Sequence, residues 1–277
     1  MSVSRELFLA GAGAVAGLVG TAGGITSLVS YPALLWAGVA PLQANIANLV
    51  ALVACWPGAA AASRPELRGR GPWLRHWSVV AAVGGAAGSV LLLVTPSGVF
   101  GRVVPFLVAA GSLALLLQPK IAARPSWRAT VSTDTPDTAA TADTPDTADR
   151  VDRVDRVDRR PRRELFLFCG VLALSVYNGY FGAGSGVLLL ALLLLTTDPV
   201  LARANALKNM VVGAATITSA VLFAVVTRVD WAAVGPLAAG MLAGSLIGPW
   251  VARRLPPGLL RWLAAGCGLA LAVRLWI

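Results

Sequence analysis

The chain has 277 residues, 57% of them apolar and only 13% charged, with a mean hydropathy of +0.73. A soluble domain carries about 25% charged residues, so this composition excludes an ordinary cytosolic enzyme and a disordered chain. It indicates an all-α polytopic membrane protein with room for about eight spans of ~20 residues. The net charge of +10 does not point to nucleic acid: residues 119–162 hold nine Lys/Arg and eight Asp, and the excess lies in the apolar remainder, where loop arginines orient spans.

Apolar runs fall at about 7–37, 42–62, 74–95, 99–117, 165–196, 204–227, 231–251 and 258–277. The first and fifth are too long for one simple span, and each is interrupted by glycines. The first carries Gly20-Thr21-Ala22-Gly23-Gly24 and the fifth Gly182-Ala183-Gly184-Ser185-Gly186. Glycine at this density breaks a helix, because it costs backbone entropy and admits positive φ. The opening residues could pass for a signal peptide, but the same opening recurs: Arg5-Glu6-Leu7-Phe8-Leu9 is repeated as Arg163-Glu164-Leu165-Phe166-Leu167. Pro41–Asn48 and Pro199–Asn205 then follow the two glycine clusters at similar depth. The chain therefore divides into a first membrane repeat at 1–118, a tether at 119–162 and a second membrane repeat at 163–277. Each repeat has about four hydrophobic segments and opens with a glycine-broken helix or hairpin.

The tether holds two near copies, Ser132–Ala140 and Thr141–Asp149, followed by three Val-Asp-Arg triplets at 151–159. It lacks the apolar content to offset its ordering entropy, and the expectation is a disordered, solvated linker rich in Asp, Arg, Thr and Pro. Asp and Arg alternating in this way could also pair along a helix.

Orientation follows Lys and Arg in short loops. Arg64, Arg68, Arg70 and Arg75 follow the second segment, whereas the corresponding loop of the second half has only Arg228. The next loop reverses the bias, with Arg102 alone in the first half and Arg253, Arg254 and Arg261 in the second. A bias that swaps loops between halves is what inverted repeats require. Inversion needs an odd number of crossings per repeat, so each broken segment is expected to be a re-entrant hairpin followed by three full spans. The tether would then be cytoplasmic and both termini outside. Eight full crossings with both termini inside is the alternative.

A broken segment leaves unpaired backbone groups, tolerated only inside protein or along a wet cavity. The half-helix after each cluster presents free N–H groups and the positive end of its dipole. Two such ends near the midplane would bind a small anion, with Gly20, Gly23, Gly24, Gly182, Gly184 and Gly186 shaping the approach and Thr21 and Ser185 adding hydroxyls. Close helix packing is the structural alternative for the glycines. The segment after each hairpin adds polar groups: Gln43, Asn45 and Asn48 in the first repeat, and Arg203, Asn205, Lys208 and Asn209 in the second. Asn205 and Asn209 are four apart and share a helix face, with Lys208 beside them. A charge inside a span faces the protein interior or a cavity, which makes Lys208 the first candidate for an anion-binding cation. Arg203 sits nearer the segment end, where it could snorkel. Tyr177 and Asn178 precede the second cluster and could line the same cavity; an interface anchor is the other role open to Tyr177.

Cys55, Cys169 and Cys267 each lie in an apolar run with no CxxC spacing and read as small buried hydrophobes. His76 is the one histidine, so no His-based metal site is expected, and no cofactor motif is present. No carboxylate dyad or Cys–His pair supports a membrane enzyme. The expected partners are a small anion and the bilayer, not nucleic acid.

With these residues in place, the sequence resembles the TauE/SafE family of sulfite-exporter-like membrane proteins. The resemblance rests on the two glycine motifs, GTAGG and GAGSG, and the ANIAN and ARANALKN stretches that follow them. WPG and SRPEL near 56–67, VDW at 229–231 and ARRLPP at 252–257 add to it. It covers nearly the whole chain except the tether. A fuller run of glycines is common in the family where this chain has GTAGG. The resemblance implies two four-segment repeats and transport of a small, often sulfur-containing anion, such as sulfite or a sulfonate, with export across the plasma membrane. An uncoupled anion channel and a non-transporting scaffold whose tether recruits a partner are the alternatives.

Overall fold

The computed structural model describes residues 3–23, 26–122, 148–252 and 266, and among these there is no strand. The first repeat forms α1 (Val3–Gly23), α2 (Thr26–Trp36), α3 (Pro41–Leu52), α4 (Cys55–Ala62), α5 (Gly71–Val94) and α6 (Ser97–Ala122). The second forms α7 (Ala148–Tyr180), α8 (Ser185–Thr196), α9 (Leu201–Val226) and α10 (Trp231–Ala252). Apart from Gly266, the apolar run at 258–277 lies outside the described residues, as does Gly24. Val3–Thr21, Pro41–Ala61, Gly71–Val94 and Leu201–Val226 are long and apolar enough to cross a membrane. Ser97–Ala110, Ser185–Thr196 and Trp231–Ile247 are shorter apolar helices. The chain is thus an all-α polytopic membrane protein. Val79, Val83, Leu165, Phe166 and Val225 are exposed around its outside, where lipid rather than water is the solvent.

Both glycine clusters reverse the chain. At the second, Gly182 (φ +82°) and Gly184 (φ +79°) adopt left-handed backbone, which side chains with a Cβ avoid. Tyr177 braces the turn, its hydroxyl donating to the Ala183 carbonyl at 2.7 Å. Beyond the turn α8 runs back along α7, with Leu192 filling the space over Gly170. Thr196 and Thr197 return to the end where Arg163 and Glu164 begin the membrane part of α7. The 12 residues of α8 span about 18 Å, well short of the ~30 Å hydrocarbon core. The segment is therefore re-entrant. At the first cluster Gly20 abuts Thr26 at the start of α2, so α2 begins against the end of α1.

Helix packing exchanges elements between the repeats. α1 lies along α10: Gly13 and Gly17 face Leu237 and Met241, while Gly240 and Gly244 face Ala10 and Ala14. Residue numbers rise together on both helices, so they are parallel, and Arg5 meets Asp230 at 4.0 Å where both begin. α5 lies along α7 in the same way, Gly84 against Leu172 and Ser175, Gly88 against Val176 and Tyr180. Small residues four apart let helix backbones approach this closely in a membrane. The directions give the topology. α2 returns to the face where α1 starts, α3 and α4 cross, and α5 crosses back, so α5 opposes α1. Since α7 parallels α5, it too opposes α1, and the repeats are inverted. The two hydrophobic cores mix the halves accordingly. One joins Leu9, Tyr31, Leu49 and Phe100 to Leu237 and Met241 of α10. The other joins Trp77 and Ala81 of α5 to Val171, Leu193, Leu207 and Val211.

α7 begins at Ala148, inside the Asp/Arg-rich stretch, so helix replaces the anticipated structureless chain over 148–162. Asp149, Asp152 and Asp155 each precede an arginine by four residues, the acid-first order that favours a helix. Residues 123–147 lie outside the described residues.

Candidate functional site

The two hairpin tips meet α4 and α9 around a cavity of about 80 Å³, small against the ~300 Å³ lower bound for pockets that hold drug-sized ligands. From the first tip come Gly20, Thr21, Thr26 and Ser27; from the second, Asn178, Gly182, Ser185 and Gly186; from α9, Lys208, Asn209, Val212, Gly213 and Thr216. Lys208 is only 1% exposed, and its Nζ has no hydrogen-bond partner among the described residues. It lies about two turns inside α9, roughly 10 Å along the helix from Leu201.

Around the cation the hydroxyls and amides are joined in a chain. Ser185 Oγ donates to Asn178 Oδ1 at 2.8 Å, and Asn178 Nδ2 donates to Thr216 Oγ1 at 3.1 Å. The chain joins the second tip to α9 and orients Thr216 toward the cavity without involving Lys208. Thr21 is turned back on its own helix, donating to the Gly17 carbonyl at 3.0 Å.

Other candidates serve the site from outside it. Asn45 donates through Nδ2 to the Tyr180 carbonyl at 2.8 Å, and Asn205 through Nδ2 to the Thr21 carbonyl at 3.3 Å. Each repeat thus holds the other's hairpin tip with a corresponding asparagine. Asn48 accepts a short hydrogen bond from Ser30 Oγ within the first repeat. Gly184 is the residue before the first turn of α8 and is not on the cavity wall, and Gly23 ends α1. Asn45, Asn48 and Asn205 are not among the described residues that line the cavity. Arg203 lies at the helix start, half exposed and 3.8 Å from Asp198. Asp198 is buried, accepts from Arg70 at 2.7 Å and from the Val200 backbone N–H at 2.9 Å. That cluster ties the α8–α9 connection to the start of α5.

Sequence reasoning missed Thr26, Ser27, Cys55, Trp56 and Thr216 as wall residues. The signal was the repeat register. Aligning Asn45 with Asn205 places Leu52, Val53 and Trp56 opposite Val212, Gly213 and Thr216, and all six line the cavity. Trp56 packs on Gly213 from the first turn of α4, just after the break between α3 and α4 at Val53–Ala54.

Inverted repeats whose broken segments meet at one cavity with a buried lysine on its wall define a multi-pass membrane protein of the transporter class. The model of the sulfite exporter TauE/SafE family matches residues 7–275, and the chain belongs to that family. No curated protein and no solved structure matches it.

Proposed function

We propose that this protein exports a small sulfur-containing anion, sulfite or a sulfonate, across the plasma membrane, and that the cavity between the hairpin tips is the binding site. The observation that carries this reading is Lys208: a cation buried to 1% exposure, without a partner among the described residues, on the wall of an anion-sized cavity. A buried charge with no partner is costly, so such a lysine fits a site whose ligand supplies the opposite charge. The N-terminus of α8 adds a dipole end at Ser185 and Gly186. Membership in a sulfite exporter family supports both the anion class and the direction.

In this reading 1–118 and 163–277 are the transporting repeats, and 119–162 is a cytoplasmic tether. The arginine-rich loop before α5 lies on the same face as Arg163, and the positive-inside rule makes that face cytoplasmic. The test is sulfite and sulfonate flux in proteoliposomes. Wild-type protein should give saturable flux, and Lys208→Ala should lower it at least a hundredfold while inserting normally. Unchanged flux in that variant would remove Lys208 from the mechanism.

A further inference from the structure

We propose that the cavity selects monovalent over divalent oxyanions, with Lys208 as the specificity-determining residue; this rests on the reading that the cavity is the anion site. Among the described residues Lys208 is the one Lys, Arg, Asp, Glu or His on the cavity wall. The buried carboxylate nearest in sequence, Asp198, is committed to Arg70 and Arg203 at the start of α9.

Inverted symmetry does not supply a second cation. In the register that pairs Asn45 with Asn205, the counterpart of Lys208 is Asn48, which is already bonded to Ser30. The site is therefore electrically asymmetric although its scaffold is duplicated. One bound negative charge forms a neutral pair with Lys208. A second would have to be held by dipoles alone: the N-termini of α2, at Thr26 and Ser27, and of α8, at Ser185 and Gly186, each worth about half an elementary charge, and the neutral Asn209, Trp56 and Thr216 donors, none of which is a full counter-charge. The Ser185 and Asn178 donors already serve each other and Thr216. On a wall where Lys208 is itself buried, a further charge without a full counter-charge is disfavoured. The preferred guest is a compact oxyanion of charge −1, such as a short-chain sulfonate or hydrogensulfite. Sulfate-like dianions are rejected by charge rather than by shape.

The test compares methanesulfonate with sulfate by isothermal titration of the purified full-length protein at matched ionic strength. Methanesulfonate should bind at least a hundredfold more tightly than sulfate, and Lys208→Ala should weaken methanesulfonate at least a hundredfold. Because the wild-type comparison needs no variant, it stands even if Lys208→Ala folds poorly. Equal or tighter binding of sulfate would overturn the selectivity and leave the anion site intact. An unchanged preference in Lys208→Ala would overturn the assignment to that residue. Binding of neither anion would overturn the anion-site reading itself, and the proposal with it.

Discussion

Lys208 Nζ makes no hydrogen bond among the described residues, whereas hydroxyls and amides around it are bonded to each other. The two kinds of residue should therefore fail differently. Loss of Lys208 removes charge from the cavity and leaves the fold. Loss of Asn45 leaves the Tyr180 carbonyl without its buried donor at a hairpin tip, which costs about 1–3 kcal/mol. Asn45→Ala should accordingly lower the melting temperature in detergent. Asn205→Ala should lower it less, since its bond to the Thr21 carbonyl is longer, 3.3 Å against 2.8 Å. A larger drop for Asn205→Ala would show that the two asparagines are not equivalent latches. Lys208 was legible in the sequence because a charge inside an apolar run has few bland explanations. Asn45 and Asn205 were legible as polar candidates but not as latches, because their partners are backbone carbonyls 135 and 184 positions away.

At the scale of the element, glycine does two separate jobs. At Gly182 and Gly184 it allows the left-handed turn that makes α8 re-entrant. At Gly84, Gly88 and Gly179 it lets α5 and α7 touch backbone to backbone. Gly88→Leu should overpack that contact and cost about 1–3 kcal/mol or more, measured as a fall in melting temperature. Gly98→Leu is the matching control, because nothing lies within 4 Å of an added Cβ there, and it should be close to neutral. Equal losses in both variants would mean that the α5–α7 approach is not a tight one. The composition of these helices signalled glycine-rich packing, but not which partner each would take. Apolar helices with small residues offer several faces of similar hydrophobicity, so pattern alone leaves the pairing undecided.

Over the whole molecule, the exchange of α5 and α10 between halves makes each core a joint product of both repeats. Each repeat buries part of its apolar surface against the other. The inverted arrangement also fixes sides: Arg163 and the loop before α5 share one face, and the α5–α6 connection near Gly98 lies on the other. In a cysteine-free background, Gly98→Cys should react with a membrane-impermeant thiol reagent added to intact cells, whereas Ser132→Cys in the tether should not. The reverse pattern would place the tether outside and contradict the loop-charge argument.

The sequence by itself determined the class of protein. Apolar length requires membrane spans, the recurrence of Arg-Glu-Leu-Phe-Leu with two glycine clusters requires duplication, and the swap of loop arginines indicates inversion. These are local or periodic properties, carried by residues close together in the chain. Only the tertiary structure decided which of the polar candidates share one cavity. It brought Thr21, Asn178, Ser185, Lys208 and Asn209 to a common wall, added Trp56 and Thr216, and moved Asn45, Asn48 and Asn205 behind it. The reason is physical: a re-entrant tip has no fixed position until helices of the other repeat pack on it. The site forms where two halves of the chain, far apart in sequence, satisfy each other's broken backbone.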